Sequence, residues 1–237
     1  MDLTYSEADE QFRTEFRGWL DANLPAEWRE RGFWARQDRD EGFEMRREWE
    51  AGKARAGFAG IQWPTEFGGR GGTPAQRAIY DEEMVRYRAP LTVNGLGLTF
   101  LAPTIMVIGS DEQKRDIIKP LLHNEVIWCQ GFSEPNAGSD LASLQCRAEL
   151  DGDDYVINGQ KIWTSHAEVA DFCELLVRTD PTAPKHKGIS WLVVPMDTPG
   201  VEVRPLRTVI GSSEFSELFL DNVRVPVANR VGEENDG

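Results

Sequence analysis

Apolar residues in the first half of the chain recur at helical spacing. Phe12, Phe16, Trp19 and Leu20 share one face of a helix that Ser6 opens, with Asp9 three residues on as its capping partner, and that Pro25 closes. Residues 41–56 predict a second, charge-rich helix with Phe43, Trp49 and Ala54 as core positions. In the connection that follows, Gly68, Gly69, Gly71 and Gly72 predict a backbone that turns sharply or approaches something closely. Thr73, Pro74 and Gln76 form a capping-box signature with proline at the first helical position, which predicts a helix to about Arg88. Ser110 and Gln113 repeat the signature for a helix through Ile118, and Pro120 restarts the chain for one more turn. Residues 89–109 carry no charge, a length that spans a bilayer at about 1.5 Å per residue. Pro90, Asn94, Gly95, Gly97 and Pro103 point instead to a helix buried on most sides.

After residue 124 the pattern changes to short strands. Residues 126–132 are apolar and extended, and 144–150 and 153–158 flank the hairpin signal of Asp151 and Gly152. Asn158 and Gly159 predict a second turn into 160–165, and 171–178, 189–195, 201–204 and 215–225 read as further strands. The expected fold class is α+β: an all-helical N-terminal domain over 1–124, then a small antiparallel β-barrel or sandwich over 125–230. Residues 231–237 read as an acidic linker.

The 237 residues suffice for a sizeable core, and no low-complexity tract suggests disorder. Asp and Glu number 40 against 26 Lys and Arg, so the net charge of −14 argues against a generic nucleic-acid binder. Eight Trp suggest aromatic-lined surfaces. Cys129, Cys146 and Cys173 lack paired spacing, and His123, His166 and His186 are too dispersed to suggest a metal site. The acidic N-terminus does not resemble a signal peptide, so a reduced, cytoplasmic setting is expected.

Two segments stand out chemically. In the first, an apolar strand through Gln130, Gly131 and Phe132 ends at Ser133, followed by a small-residue loop through Glu134, Gly138, Ser139 and Asp140 that would present N–H groups and hydroxyls. In the second, Lys161, Trp163 and Ser165 place an indole beside a hydroxyl after a tight turn. Each also has an ordinary reading, the loop as a simple turn and Trp163 as core.

Together these segments resemble the signatures of the acyl-CoA dehydrogenase flavoproteins. Gly131 through Asp140 match the first signature, and Gly159, Lys161, Trp163 and Ser165 the second. Trp63 and Pro64 with Gly68 and Gly69 resemble an upstream family loop, and Asp221 through Pro226 a downstream strand end. The resemblance implies a third, C-terminal helical domain beyond this chain, and FAD-dependent α,β-dehydrogenation of an acyl-CoA thioester. It implies flavin contacts at Gln130, Phe132, Ser133, Trp163 and Ser165, and contacts to the CoA thioester at Gly138 and Ser139. Glu134 and Asp140 read as structural carboxylates. No catalytic residue is assigned in this chain, because the family's Glu base belongs to the C-terminal domain, and the chain alone is expected to be inactive. The implied partners are an acyl-CoA substrate, an electron-transfer flavoprotein or similar acceptor, and further subunits of a homo- or hetero-oligomer. The alternative is a non-catalytic shortened homologue that pairs with a complete subunit. The loop from Gly211 to Ser216 lacks an Arg that many members carry, and His166 stands where a small residue or Asn is common. The Trp128 to Ser133 run, with 141–144 and 184–190, resembles an actinobacterial branch associated with steroid and other bulky CoA thioesters.

Overall fold

The computed structural model describes residues 4–209, 211 and 213–237. Met1, Asp2 and Leu3, and Ser212 of the loop that lacks an Arg, lie outside the described residues. The chain divides into two compact units, one made of 1–95 with 122–125, the other of 96–121 with 126–237.

The first unit is built on α1 (Glu7–Asn23), α2 (Arg39–Arg55) and α3 (Pro74–Arg86). Both expected capping boxes form: Asp9 N–H donates to Ser6 Oγ at 3.2 Å, and Gln76 N–H to Thr73 Oγ1 at 3.1 Å, with the reciprocal bonds present. α1 buries Phe12, Phe16 and Leu20 against Trp28, Trp49, Phe58, Ile79 and Tyr80. Phe16 sits 4.9 Å, ring centre to ring centre, from both Phe58 and Tyr80. The Trp residues of this unit therefore build core rather than lining a surface. Beneath them Glu83, fully buried on α3, receives Arg13 at 2.7 Å and Arg17 at 2.8 Å from α1. The glycine-rich connection approaches its own chain closely: a Cβ on Gly69 would lie 2.4 Å from the Trp63 carbonyl oxygen.

In the second unit, Gly97–Leu101 forms one π-helical turn that runs into α4 (Ala102–Ile108), followed by α5 (Asp111–Leu122). The expectation of a helix buried on most sides is corrected here, since Phe100, Val107 and Ile108 are exposed while Leu101 and Ile105 face inward. α5 continues through Pro120 instead of restarting there. Among the described residues, no helix is long and apolar enough to cross a membrane.

Among the described residues eight strands follow: β1 (Trp128–Gly131), β2 (Arg147–Asp151), β3 (Asp154–Ser165), β4 (Phe172–Arg178), β5 (Ile189–Pro195), β6 (Val201–Leu206), β7 (Phe215–Pro226) and β8 (Arg230–Val231). They form one sheet in the order β6-β7-β3-β2-β4-β5-β8, with β1 on β4. The sheet is not a closed barrel, and it is not purely antiparallel. β1 runs parallel to β4 from the Trp128–Phe172 pair onward, and β2 meets the far end of the same β4 edge at Arg178, also in parallel. The inward face carries Cys129, Cys146, Tyr155, Ile157, Leu175, Val177, Leu192, Leu218, Leu220 and Val223.

The turn expected at Asn158 and Gly159 does not form. β3 runs straight through, with a bulge against β7 between Ile157 and Gly159. Asn158 instead serves across the strands, its Oδ1 accepting Asn222 N–H at 2.9 Å while Asn222 adopts a left-handed φ of 51°. Gly159, at φ 156°, lets the Cys146 backbone pass where a Cβ would be 2.7 Å from the Cys146 Cα. Gly159→Val is expected to destabilise the chain by about 3 kcal/mol or more, through backbone strain plus overpacking. A thermal midpoint within a degree of the parent's would contradict that close approach.

Residues 231–237 are held against the sheet. Gly237 N–H donates to Ile189 O at 2.7 Å, Asn235 N–H to Ser190 Oγ at 2.8 Å, and Tyr155 Oη to Glu234 at 2.9 Å.

Candidate functional site

The two sequence segments meet along β1 and β3. After β1 the chain continues through Phe132 and Ser133, and the Ser133 carbonyl accepts the Ile162 N–H of β3 at 2.9 Å. The next four residues close a tight turn, with Glu134 and Ala137 exchanging both backbone hydrogen bonds. Gly138 and Ser139 follow on the exposed surface, and a Cβ at Gly138 would meet nothing within 4 Å. Within this chain Gly138 is thus under no steric requirement, and the open space lies on the side away from the protein.

Trp163 is not a core residue. Between Lys161 and Thr164 the pairing with β7 slips by one residue, from Leu218 to Ser216, which is a β-bulge. Trp163 occupies it at φ 62° and is 59 % exposed, its ring edge-on to Phe215 at 6.0 Å. A left-handed Trp in a strand costs of order 1–3 kcal/mol, and such outliers cluster where a side chain is aimed for use. Ser165 and Ser133 are both half-buried nearby on the same two segments. His166 follows at φ 61°, a conformation that Asn or Gly adopts at little cost, which accounts for the usual residue there.

What fixes this geometry is a buried ion pair that the sequence reading did not assign. Lys161 is fully buried and donates from Nζ to Glu134 Oε1 at 2.9 Å and to the Phe132 carbonyl at 3.1 Å. Glu134 also accepts Gln145 N–H at 2.6 Å and Cys146 N–H at 2.8 Å. Three donors hold its two oxygens, so Glu134 braces the loop as a structural carboxylate. The available signal was a Lys and a Glu embedded in two otherwise apolar or small-residue segments. Asp140 is also braced, accepting Ser143 Oγ at 2.6 Å and pairing with Lys185, and these contacts hold its carboxyl below the usual range.

Gln130 is engaged sideways. Its Nε2 donates at 2.9 Å to Glu174 on β4, a carboxyl only 3 % exposed. Burial pushes the Glu174 carboxyl up to about 7, against the opposing pull of that hydrogen bond. The three thiols are free and buried. Cys129, beside the Cys173 thiol and desolvated, sits well above the ordinary thiol range, and burial pushes Cys146 up to about 12. Both stay protonated near neutrality and are poor nucleophiles.

Comparison with known proteins gives a consistent outcome over nearly the whole chain. Residues 6–125 match the family described as "Acyl-CoA dehydrogenase, N-terminal domain", and residues 129–223 match "Acyl-CoA dehydrogenase, middle domain". The chain is 44 % identical over 229 residues to acyl-CoA dehydrogenase IpdE1 of Mycobacterium tuberculosis, which covers 96 % of this chain and 60 % of the relative. It superposes on the Tcur3481-Tcur3483 steroid ACAD with a TM-score of 0.85 at 38 % identity, covering 100 % of this chain and 60 % of that one. It superposes on the ChsE4-ChsE5 complex of Mycobacterium tuberculosis with a TM-score of 0.84 at 39 % identity, covering 100 % and 59 %. The chain thus spans about 60 % of the length of these relatives.

Proposed function

The chain belongs to the acyl-CoA dehydrogenase family, and from that membership we propose that it forms the flavin- and thioester-contacting part of an enzyme that dehydrogenates an acyl-CoA between Cα and Cβ. The observation that carries this reading is Trp163, thrown out of the β3 ladder at a left-handed bulge directly beyond the bond that joins Ile162 to Ser133. FAD fits the donor set presented there, an exposed indole with two neighbouring hydroxyls and strand-end backbone, and when bound it supplies the hydride acceptor.

The roles of the residues follow from their chemistry. Ser133, Ser165 and the backbone at Phe132 offer donors where negative charge would develop on the ring, which is where pre-positioned donors contribute most. Trp163 supplies apolar area that excludes water from the ring edge. Gly138 and Ser139, on the open surface, leave room for the pantetheine arm of CoA. Gln130 acts from behind, its side chain held by Glu174. Removal of the Cα proton needs a base within hydrogen-bond reach, and neither Glu134 nor Asp140 is free to serve. The 237-residue chain alone is therefore expected to lack turnover, with the base supplied by a helical part of the kind that the longer relatives have room for. The similarity to a steroid ACAD and to a two-component complex supports a bulky acyl-CoA substrate and a hetero-oligomeric partner.

Trp163→Ala separates ligand contact from packing. Because the indole is largely exposed, its removal leaves little cavity, so the thermal midpoint should hold within about 2 °C. FAD affinity, read by flavin fluorescence, should fall about 10-fold or more, as expected for losing an aromatic contact of roughly 1.5 kcal/mol. Unchanged flavin affinity with a lowered midpoint would count against the proposal.

A further inference from the structure

From its own surface chemistry, and independently of the flavin reading, we infer that the helical unit carries an oxyanion-binding pocket for a phosphate group, where the end of α3 meets the chain after α1. The pocket is a concavity open to solvent, about 440 Å³ in volume, lined by Asp21, Arg29, Arg86, Tyr87 and Arg88. Three guanidiniums in one concavity are out of keeping with a chain of net charge −14. Two carboxylates pair with them at long range, which leaves the three guanidiniums in excess. Glu83 stands 3.8 Å from Arg86, and Arg13 and Arg17 already occupy it at 2.7 and 2.8 Å. Asp21 is 3.7 Å from Arg29. The Arg29 guanidinium lies over the Tyr87 ring at 4.7 Å, and its Nε is buried without an acceptor.

The backbone at Arg88 is the second, independent sign. α3 ends in a Schellman turn, with Ala89 N–H on Met84 O at 2.9 Å and Arg88 N–H on Val85 O at 3.0 Å. The residue that takes the left-handed position in this turn is usually Gly, and here it is Arg88 at φ 51°. Glycine would relieve the strain at the loss of one exposed side-chain bond, from Arg88 Nη1 to the Arg29 carbonyl at 3.4 Å, yet an Arg is held there beside the pocket. Planar guanidinium forks match the tetrahedral oxygens of a phosphate group, free or esterified.

The test uses the full chain and thermal melts with inorganic phosphate and with phenyl phosphate, each against chloride at matched ionic strength. At about ten times the dissociation constant, the midpoint should rise by roughly 3–6 °C. Arg88→Gly should itself melt about 2–4 °C higher than the parent, through relief of strain, yet lose the phosphate response. Arg29→Gln should lose it too, and Arg115→Gln, at an exposed Arg of the other unit, should keep it. A saturable response to either probe that Arg88→Gly abolishes supports the pocket, and the tighter probe identifies free phosphate or a phosphomonoester. The inference is overturned if chloride stabilises equally, if Arg88→Gly keeps the full response, or if only polyglutamate gives a response, which would mark a docking surface for an acidic protein.

Discussion

Replacing Lys161 by Met should lower the unfolding free energy by about 3–5 kcal/mol, the cost of leaving one member of a buried ion pair without its partner. Lys161 is fully buried, and its Nζ holds both Glu134 and the Phe132 carbonyl. In the variant the Glu134 carboxylate keeps only its two backbone donors in a site that is largely buried. The consequence for function is larger than that for stability. Glu134 is what ties the 133–140 loop to β3 and to the start of β2, through Cys146 and Gln145. Without Lys161 the loop bearing Ser133, Gly138 and Ser139 is held to the strand bearing Trp163 by the Ser133–Ile162 backbone bond and not by its side chains, and flavin affinity should fall as the loop loosens. Arg204→Met offers the contrast: that side chain pairs with Glu202 on the exposed surface, and its loss should cost under about 1 kcal/mol. Equilibrium denaturation of both variants provides the comparison. A Lys161→Met loss no larger than the Arg204→Met loss would show that the pair does not hold the loop.

Stability should also fall as pH rises through the range governed by Glu174. The carboxyl is raised in the folded chain from its ordinary 4.5 to about 7, with burial the principal cause. Between those values the folded state holds a proton that the unfolded state has released, so ∂ΔG/∂pH is negative and stability declines until pH exceeds about 7. The full loss is about 3 kcal/mol, taking 1.36 kcal/mol for each pKa unit. Other carboxyls work in the opposite sense: Glu83 and Asp140 are held low, by Arg17 and Arg13 and by Lys185 and Ser143 respectively, and contribute stability that is lost in acid. The measurement is therefore a difference. Glu174→Gln keeps an acceptor for Gln130 without a titrating proton, so it should match the parent near pH 4.5 and exceed it by about 3 kcal/mol near pH 8.5. A gap of equal size at both pH values would sink the assignment.

Much of the helical unit was legible because its signals are local. The pairs Ser6 and Asp9, Thr73 and Gln76, and Ser110 and Gln113 are each three residues apart, and all three form as reciprocal caps. The hairpin between β2 and β3 was legible for the same reason, with Gly152 at φ 65° in its turn. The sequence misled where a local signal had a non-local use. Asn158 and Gly159 have turn chemistry, but β7 offered a partner along all of β3, and Asn158 was drawn into a bond with Asn222, 64 residues away. The parallel pairing of β1 with β4 joins residues 44 apart, and no periodicity within either strand encodes it. The apolar run 89–109 carries no periodic polar face, so it could not tell inward Ile105 from outward Val107. In the site, the motif residues were legible by resemblance. The pairing of Lys161 with Glu134, across 27 residues, and the raised carboxyl of Glu174 depend on which strands lie side by side.

The three thiols give the sheet an internal clock. Cys129 on β1 and Cys173 on β4 face each other in register, and Cys146 sits at the entry to β2 against Gly159, all at 2 % exposure or less. An alkylating reagent cannot reach any of them in the closed sheet, so each reacts only as often as its own strand departs. Cys129 and Cys173 share a seam and should be modified at one common rate. Cys146 keeps time with the β2 edge that Glu134 pins through its backbone N–H. The order in which the three are alkylated thus records whether the motif loop lets go before the sheet opens or only together with it.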